Sequence, residues 1–388
     1  MEASHALLGP SGASRWLACT PSARLEEKFP DNSGDAAAEG TTAHELGEIL
    51  LRTFTGEYSK RKANSELKKL KESPFYNNEM QDNAEAYAAF VIEKFEEAKK
   101  RTPDAVLQIE QKLNLSEYVP ESFGTGDAII IADGILDIID LKYGKGVLVS
   151  CENNKQMMLY ALGALLEFDF LYAISIVRMT IYQPRLSNIS TFEMSVEDLV
   201  EWAEKELSLK AQLAWEGKGE FVPGSHCQFC KAKAQCRALA EDNLELTKYD
   251  FQDSELLTDE EISAILVKAD QFKKWLSSVE NFALTEAVDN GKDWPGFKLV
   301  EGRSVRVYSS QDEVAKKLVE NGIEEAIIYE RKLLGITAME KAITKKAFDS
   351  ILGDLIIKPQ GKPTLVPESD KRPAWNSVES AISDFSNI

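Results

Sequence analysis

Apolar positions along the first hundred residues recur at helical spacing. Leu46, Ile49, Leu50 and Phe54 lie three or four apart, behind Thr41 and Thr42, and Thr42 with Glu45 has the spacing of a capping box. The pattern predicts a helix beginning at Thr41/Thr42. Short helices are predicted at Ala13–Cys19 and Ala23–Phe29, with a loop at Pro30–Gly34. A charged stretch, Lys60–Glu72, precedes a long amphipathic helix over Asn78–Lys100 that stops at Thr102-Pro103.

The period then changes. Ala105–Leu113 alternates as a strand does, and Phe123–Asp133 and Ile135–Lys142 are β-branched runs meeting at Asp133-Gly134, a hairpin-turn signal. Gly146–Cys151 reads as a further short strand, Lys155–Leu166 as an apolar helix, Tyr172–Tyr182 as a strand and Ser195–Trp215 as helix. This order predicts an α/β (α+β) core with a central mixed sheet flanked by helices, in a first domain over 1–240. A helix-rich region over 241–388 follows. It holds a long helix at Thr258–Asn290, a hairpin at Trp294–Tyr308, helices at Asp312–Asn321 and Thr337–Leu352, and a polar tail.

Composition narrows the class. The 388 residues are 44% hydrophobic and 28% charged, which excludes a disordered, collagen-like or disulfide-scaffold chain. No apolar run reaches the length of a membrane span, and Met-Glu-Ala-Ser-His carries no signal-peptide pattern, so a cytoplasmic protein without membrane contact is expected. The net charge of −19 argues against a nonspecific nucleic-acid coat, although it permits a confined basic channel.

The central hairpin carries chemistry. Gly126-Asp127 opens its first strand and Asp140-Leu141-Lys142 closes its second, at about equal distances from the turn, so the two carboxylates are expected side by side. Paired carboxylates call for a hard cation such as Mg²⁺ or Mn²⁺, and Lys142 shares the face of Asp140. A surface hairpin with charged ends is the plainer alternative. Asp133 belongs to the turn and Asp137 lies nearer the turn than the active end. Gln156 and Tyr160, four apart, share a helix face. Glu110 reads either as a carboxylate behind the ligands or as an ordinary exposed residue. His44-Glu45 is no zincin motif, because position 48 is Glu, and Gly144-Lys145-Gly146 lacks the Walker A spacing.

Three of five cysteines fall within Cys227-Gln-Phe-Cys230-Lys-Ala-Lys-Ala-Gln-Cys236, with Cys19 far upstream and Cys151 apart. In a cytosolic protein such a cluster points to a metal site rather than a disulfide framework. Lys231, Lys233 and Arg237 are interleaved with it and make that lobe a weak candidate for DNA contact, or simply a solvated face.

Gly126-Asp127, then Ile-Ile-Asp140-Leu-Lys142, then Gln156-Met-Met-Leu-Tyr160 resemble the motifs of the PD-(D/E)XK nuclease superfamily, in the branch of RecB, AddB and Cas4, over roughly residues 13–240. Gly40-Thr-Thr-Ala-His44 resembles that branch's upstream helix with a ligand histidine. The whole chain, including Lys362-Pro-Thr-Leu-Val-Pro-Glu-Ser-Asp-Lys-Arg-Pro, resembles the phage and prophage family DUF2800. The resemblance implies a metal-dependent DNA exonuclease of phage replication or recombination. An endonuclease, or a catalytically silent fold that binds DNA or a partner, is the alternative. It implies His44, Asp127, Asp140 and the backbone carbonyl of Leu141 as ligands of Mg²⁺ or Mn²⁺. Lys142 would act on the attacking water, with Gln156 and Tyr160 holding the DNA backbone. It also implies that Cys19, Cys227, Cys230 and Cys236 hold a [4Fe–4S] cluster, structural Zn²⁺ being the competitor. A phage single-strand-binding or annealing protein is the expected partner.

Overall fold

A computed structural model of the chain describes residues 6–30, 34–245, 257–300, 310–321, 323, 339, 345–352 and 355–356. The chain divides into two compact units, Met1–Gly291 and Lys292–Ile388. The first unit runs past the division expected at 240/241 because it includes the long helix that follows the cysteines.

In the first unit, α1 (Ala13–Ala18), α2 (Ser22–Glu26), α3 (Asp35–Thr55), α4 (Lys60–Leu70) and α5 (Asn78–Arg101) precede the sheet. The sheet is built from β1 (Val106–Asn114), β2 (Phe123–Ala132) and β3 (Gly134–Leu141), then α6 (Lys155–Phe168), β4 (Ile174–Gln183) and β5 (Asn188–Ser195). After it come α7 (Val196–Trp202), a π-helical turn at Ala203–Leu207, α8 (Ser208–Glu216), α9 (Arg237–Leu244) and α10 (Asp259–Asp289). In the second unit, α11 (Gln311–Glu320) and α12 (Lys345–Leu352) are described.

The five strands lie in the order β1-β2-β3-β4-β5, antiparallel except for β3 and β4, which run parallel because α6 crosses between them. The mixed α/β sheet flanked by helices is therefore the architecture expected. On one face Ile129, Ile131, Leu136 and Ile138 pack with α6 and with α1, α7 and α8. On the other, Ala128, Ile130, Ala132, Ile139 and Leu141 pack with Leu51 of α3 and with Tyr87 and Val91 of α5. Hydrophobicity on both faces of β2 and β3 marks central strands.

Several local expectations change. The helix expected at Thr41/Thr42 begins at Asp35, and both threonines lie inside it, donating to Ala37 O (3.1 Å) and Ala38 O (3.0 Å). That back-bonding replaces the expected capping box. The charged stretch is α4, capped by Ser59, whose hydroxyl accepts from Lys62 N. No strand forms at Gly146–Cys151. The amide of Gln183 takes the ladder's place there, donating to Gly144 O and Val147 O and accepting from Val149 N. β5 was not foreseen, being half-exposed and polar at alternate positions. The Thr258–Glu261 capping box opens α10. Residues 294–300 form no strand, and the rest of the expected hairpin and the polar tail lie outside the described residues, as do residues 337, 338 and 340–344 of the expected helix at 337–352, whose end is α12.

One close approach sets the distance between α6 and β2. A Cβ on Gly124 would lie 2.6 Å from Pro10 Cγ and 2.9 Å from Tyr160 Cε1. Gly124→Ala is expected to lower stability by about 1–3 kcal/mol through overpacking. Gly144→Ala, where a Cβ meets nothing within 4 Å, should leave the thermal midpoint unchanged. Equal midpoints for both variants would contradict this packing.

Candidate metal centre and cysteine cluster

The last paired row of the central hairpin is Ala128↔Ile139, so Asp127 and Asp140 stand on the next row outward. On the other side of β2 the pairs Ile109↔Ala128 and Gln111↔Gly126 put Glu110 opposite Asp127. Three carboxylates thus occupy one row across β1, β2 and β3. The row coincides with a break in the alternation. Leu107 and Ile109 pack toward α3 and α5, whereas Leu113 packs toward α6, and Glu110 between them has φ +48. A left-handed residue inside a strand inverts its faces in the manner of a β-bulge.

Asp127 uses this break. Its Oδ2 accepts the Leu141 N–H at 2.7 Å and lies 3.3 Å from His44 Nδ1. A side chain does what the backbone ladder would otherwise do. His44 comes from α3, which approaches closely because residue 47, one turn on, is glycine; a Cβ there would lie 3.2 Å from the Tyr87 ring. Arg52 anchors the same helix, donating to Glu48 Oε1 (2.7 Å) and to Ile109 O (2.9 Å), the residue before the inversion. Ligand atoms of His44, Glu110 and Asp127 all lie within 4.8 Å of one another. That spacing suits a cation held by one imidazole and two carboxylates, and is compatible with Mg²⁺ or Mn²⁺.

Asp140 stands beside this group rather than in it. Its Oδ2 is 2.9 Å from Lys142 Nζ but, though buried, has no aligned hydrogen bond. Leu141 is held at the site by its N–H, and Lys142 N donates to Tyr182 O. Gln156 Nε2 donates to the Tyr160 hydroxyl at 3.0 Å, so the pair meets as its spacing implied. Burial first, then Asp140 and Asp127, push the Tyr160 phenol well above its ordinary range, which places it within their field. Asp137 pairs with Arg178 at 3.3 Å, away from the row. Glu110 was the least certain from sequence alone. The signal that identifies it is the register, which needs the pairing of β1.

The site's charges follow from burial and pairing. Desolvation pulls His44 down, but the Asp127 carboxylate outweighs it and raises His44 to about 9. Desolvation and the neighbouring Asp127 raise Glu110 to about 8. Burial opposes ionisation of Asp127, yet His44, Lys142 and the Leu141 N–H hold it below its usual value. Asp140 is raised by burial, against the pull of Lys142. Burial would lower Lys142, but Asp140 and Asp127 raise it, so it stays an ammonium.

Cys19, Cys227, Cys230 and Cys236 line one small cavity of about 20 Å³, with Arg15 and His226 on its wall. Among the described residues, the group whose ligand atoms all lie within 4.8 Å of one another is His44, Glu110 and Asp127, not the cysteines. All four are free thiols, as is Cys151, whose Sγ donates to Met179 O inside the sheet core. Desolvation raises Cys19 and Cys227 and takes Cys230 to about 12. Three further bonds join the N-terminal helices to this lobe, from Thr20 Oγ1 to Lys218 O (2.6 Å), Arg24 Nε to Trp215 O (2.6 Å) and Lys231 N to Glu26 Oε1 (2.7 Å), and Arg15 Nε ties α1 to Glu26 Oε2 of α2 (2.7 Å). Lys233 Nζ donates to Gln228 O, and Arg237 opens α9. These residues lie on the cysteine lobe, as their spacing implied.

Fold and site together define an α/β protein with a metal-capable acidic centre at one end of a mixed sheet. The chain belongs to the family described as Protein of unknown function (DUF2800), which matches residues 5–373. Among solved structures it is similar to a "Putative exonuclease" from Eubacterium rectale, at 12% identity over 66% of this chain and 92% of that one, with a TM-score of 0.32. It is also similar to a protein named SSO0001, at 16% identity over 50% of this chain and 85% of that one, with a TM-score of 0.24. Likenesses this distant leave the chemistry to rest on the residues themselves. Among the described residues, no helix is long and apolar enough to cross a membrane.

Metal ligation needs a neutral imidazole and ionised carboxylates. At neutral pH His44 carries a proton that ligation must displace, and so does Glu110. Affinity for Mg²⁺ is therefore expected to rise with pH up to about 9 and then level off, with one to two protons released per ion near pH 7. Calorimetric titration in buffers of different ionisation heat counts those protons. Affinity independent of pH across this window would remove His44 and Glu110 from the ligand set.

Proposed function

We propose that the protein is a metal-dependent deoxyribonuclease, an exonuclease hydrolysing phosphodiester bonds in phage or prophage DNA replication or recombination. The observation that carries the reading is the convergence of His44, Glu110 and Asp127 beside an Asp140–Lys142 pair on one sheet end. The donor set fits a hard divalent cation, and the Asp140 carboxylate, ion-paired with Lys142, offers a further oxygen on the same row. Bound there, Mg²⁺ or Mn²⁺ would supply Lewis acidity and a water of lowered pKa.

The chain's own residues do the rest. His44, Glu110 and Asp127 would hold the ion, with Asp140 and the Leu141 carbonyl as further ligands. The Lys142 ammonium, kept charged by Asp140, orients the attacking water and offsets charge developing on the phosphate. The water oxygen would attack phosphorus in line, its proton passing to solvent, while the bond to the sugar oxygen breaks and that oxygen takes a proton from solvent. Gln156 and Tyr160 position the DNA backbone near Lys142. The substrate is DNA, with a phage single-strand-binding or annealing protein as the expected partner, in the cytoplasm of a bacterial host.

The direct test compares end-labelled linear DNA with a closed circle of the same sequence, in Mg²⁺ or Mn²⁺, using Lys142→Ala as control. Loss of the linear substrate alone is the expected result, with at least about a thousandfold lower rate in the variant. Cutting of the circle would make the protein an endonuclease on the same core. DNA binding without cleavage would leave a silent binding fold.

We assign Cys19, Cys227, Cys230 and Cys236 to a [4Fe–4S] cluster that fastens the first helices to the end of the nuclease-like core, with Zn²⁺ as the competing occupant. Four thiols around one small cavity support this assignment. Protein purified without air should be brown and lose both colour and thermal stability in Cys230→Ala. A colourless protein with stoichiometric zinc would decide for the alternative.

A further inference from the structure

The segment that joins Lys142 to the helix of Gln156 and Tyr160 is a loop with an apolar tip. Val147 is 45% exposed and Leu148 67% exposed. Apolar loop tips are common in themselves, but the base of this one is held with unusual care. Gln183, 1% exposed, donates to Gly144 O (3.0 Å) and Val147 O (2.8 Å) and accepts from Val149 N (3.2 Å). Asn188 Nδ2 adds a bond to Val149 O (2.9 Å), and Ser190 Oγ accepts from Cys151 N (2.9 Å). On the near side Arg185 stacks over Tyr143, 4.6 Å from its ring centroid, and pairs with Glu39 of α3 at 2.9 Å. Lys145 lies 3.4 Å from Glu79 of α5. Both feet of the loop are thus tied to the sheet end that carries the site. Gln183 follows Tyr182, whose carbonyl accepts the Lys142 N–H.

A firmly tied base below two exposed apolar side chains, directly after the lysine assigned above to the phosphate, suits one task at a DNA end. An exonuclease must pass one strand to its metal while the other is turned aside, and parting the terminal pair costs stacking. Apolar side chains that insert against a base pair replace the lost stacking and hold the strands apart. We propose that Val147 and Leu148 form a wedge that stacks on the terminal base pair of duplex DNA and directs one strand to the Lys142 side. The occupant is a duplex end rather than a protein. The loop leads directly from Lys142 to Gln156, the residues assigned to phosphate and backbone. The inference rests on the nuclease reading and adds its substrate, duplex ends.

The test uses the full-length protein and two substrates, blunt duplex and single strand of the same sequence, with Leu148→Ser and Val147→Ser/Leu148→Ser. The duplex rate is expected to fall about tenfold or more while the single-strand rate stays within about twofold. A second readout avoids turnover. With Ca²⁺ in place of Mg²⁺, a terminal 2-aminopurine in the duplex should brighten on binding the unaltered protein and stay dim with the double variant. Equal loss on both substrates would mean that the tip holds DNA generally or supports the site, and would overturn the wedge. Unchanged duplex rates with active single-strand cleavage would overturn the wedge and leave the nuclease intact. Absence of cleavage of either substrate by the unaltered protein would overturn the nuclease reading and the wedge with it.

Discussion

The buried carboxylate of Asp127 is the contact on which the active end of the sheet depends. At the row where β2 and β3 cease to pair through their backbones, this side chain accepts the Leu141 N–H that the ladder leaves free, and it faces His44 from the opposite layer. An ionised carboxylate buried to this degree is costly unless it is both paired and hydrogen-bonded. Here it is both, and its partners come from β3 and α3. The same atom therefore closes the strand pair, docks the helix and offers a ligand oxygen. Glu110, directly opposite on β1, brings a second carboxylate to the same place.

The cysteine lobe solves a different problem. The short N-terminal helices bury Trp16, Leu17 and Ala23 in the core of the α6 face, yet α1 and α2 are only six and five residues long. Helices of that length have no stability of their own in water. Their positions depend on tertiary ties, and the bonds to residues 215–231 supply them across nearly the whole length of the domain. A cluster or ion holding Cys19 to Cys227, Cys230 and Cys236 would close a loop of that length, where removal of chain freedom counts most.

Much of this was legible in the sequence because the signals were periodic or chemically rare. Continuous β-branched runs around Asp133-Gly134 specified the central hairpin, and equal distances from its turn placed Asp127 and Asp140 on one row. The start of α3 was not legible, because Thr41 and Thr42 bond back to their own helix as readily as they cap a new one. The stretch at 146–151 has the composition of a strand and lacks its partner, since Gln183 satisfies its backbone from the side. The standing of Glu110 depended on a register between β1 and β2 and on a left-handed residue, neither of which leaves a mark in composition.

The net charge of −19 looks discordant with a DNA substrate until the site's own cations are considered. His44 and Lys142 sit next to carboxylates that keep them protonated against the cost of burial. Just outside, Arg52 and Arg185 are each fixed by glutamates from α3, and Lys145 is paired with Glu79 of α5. Five basic side chains are thus held in place at one sheet end by carboxylates. On the function proposed above, a phosphate there would meet oriented donors in a partly desolvated setting, where they act more strongly than in water.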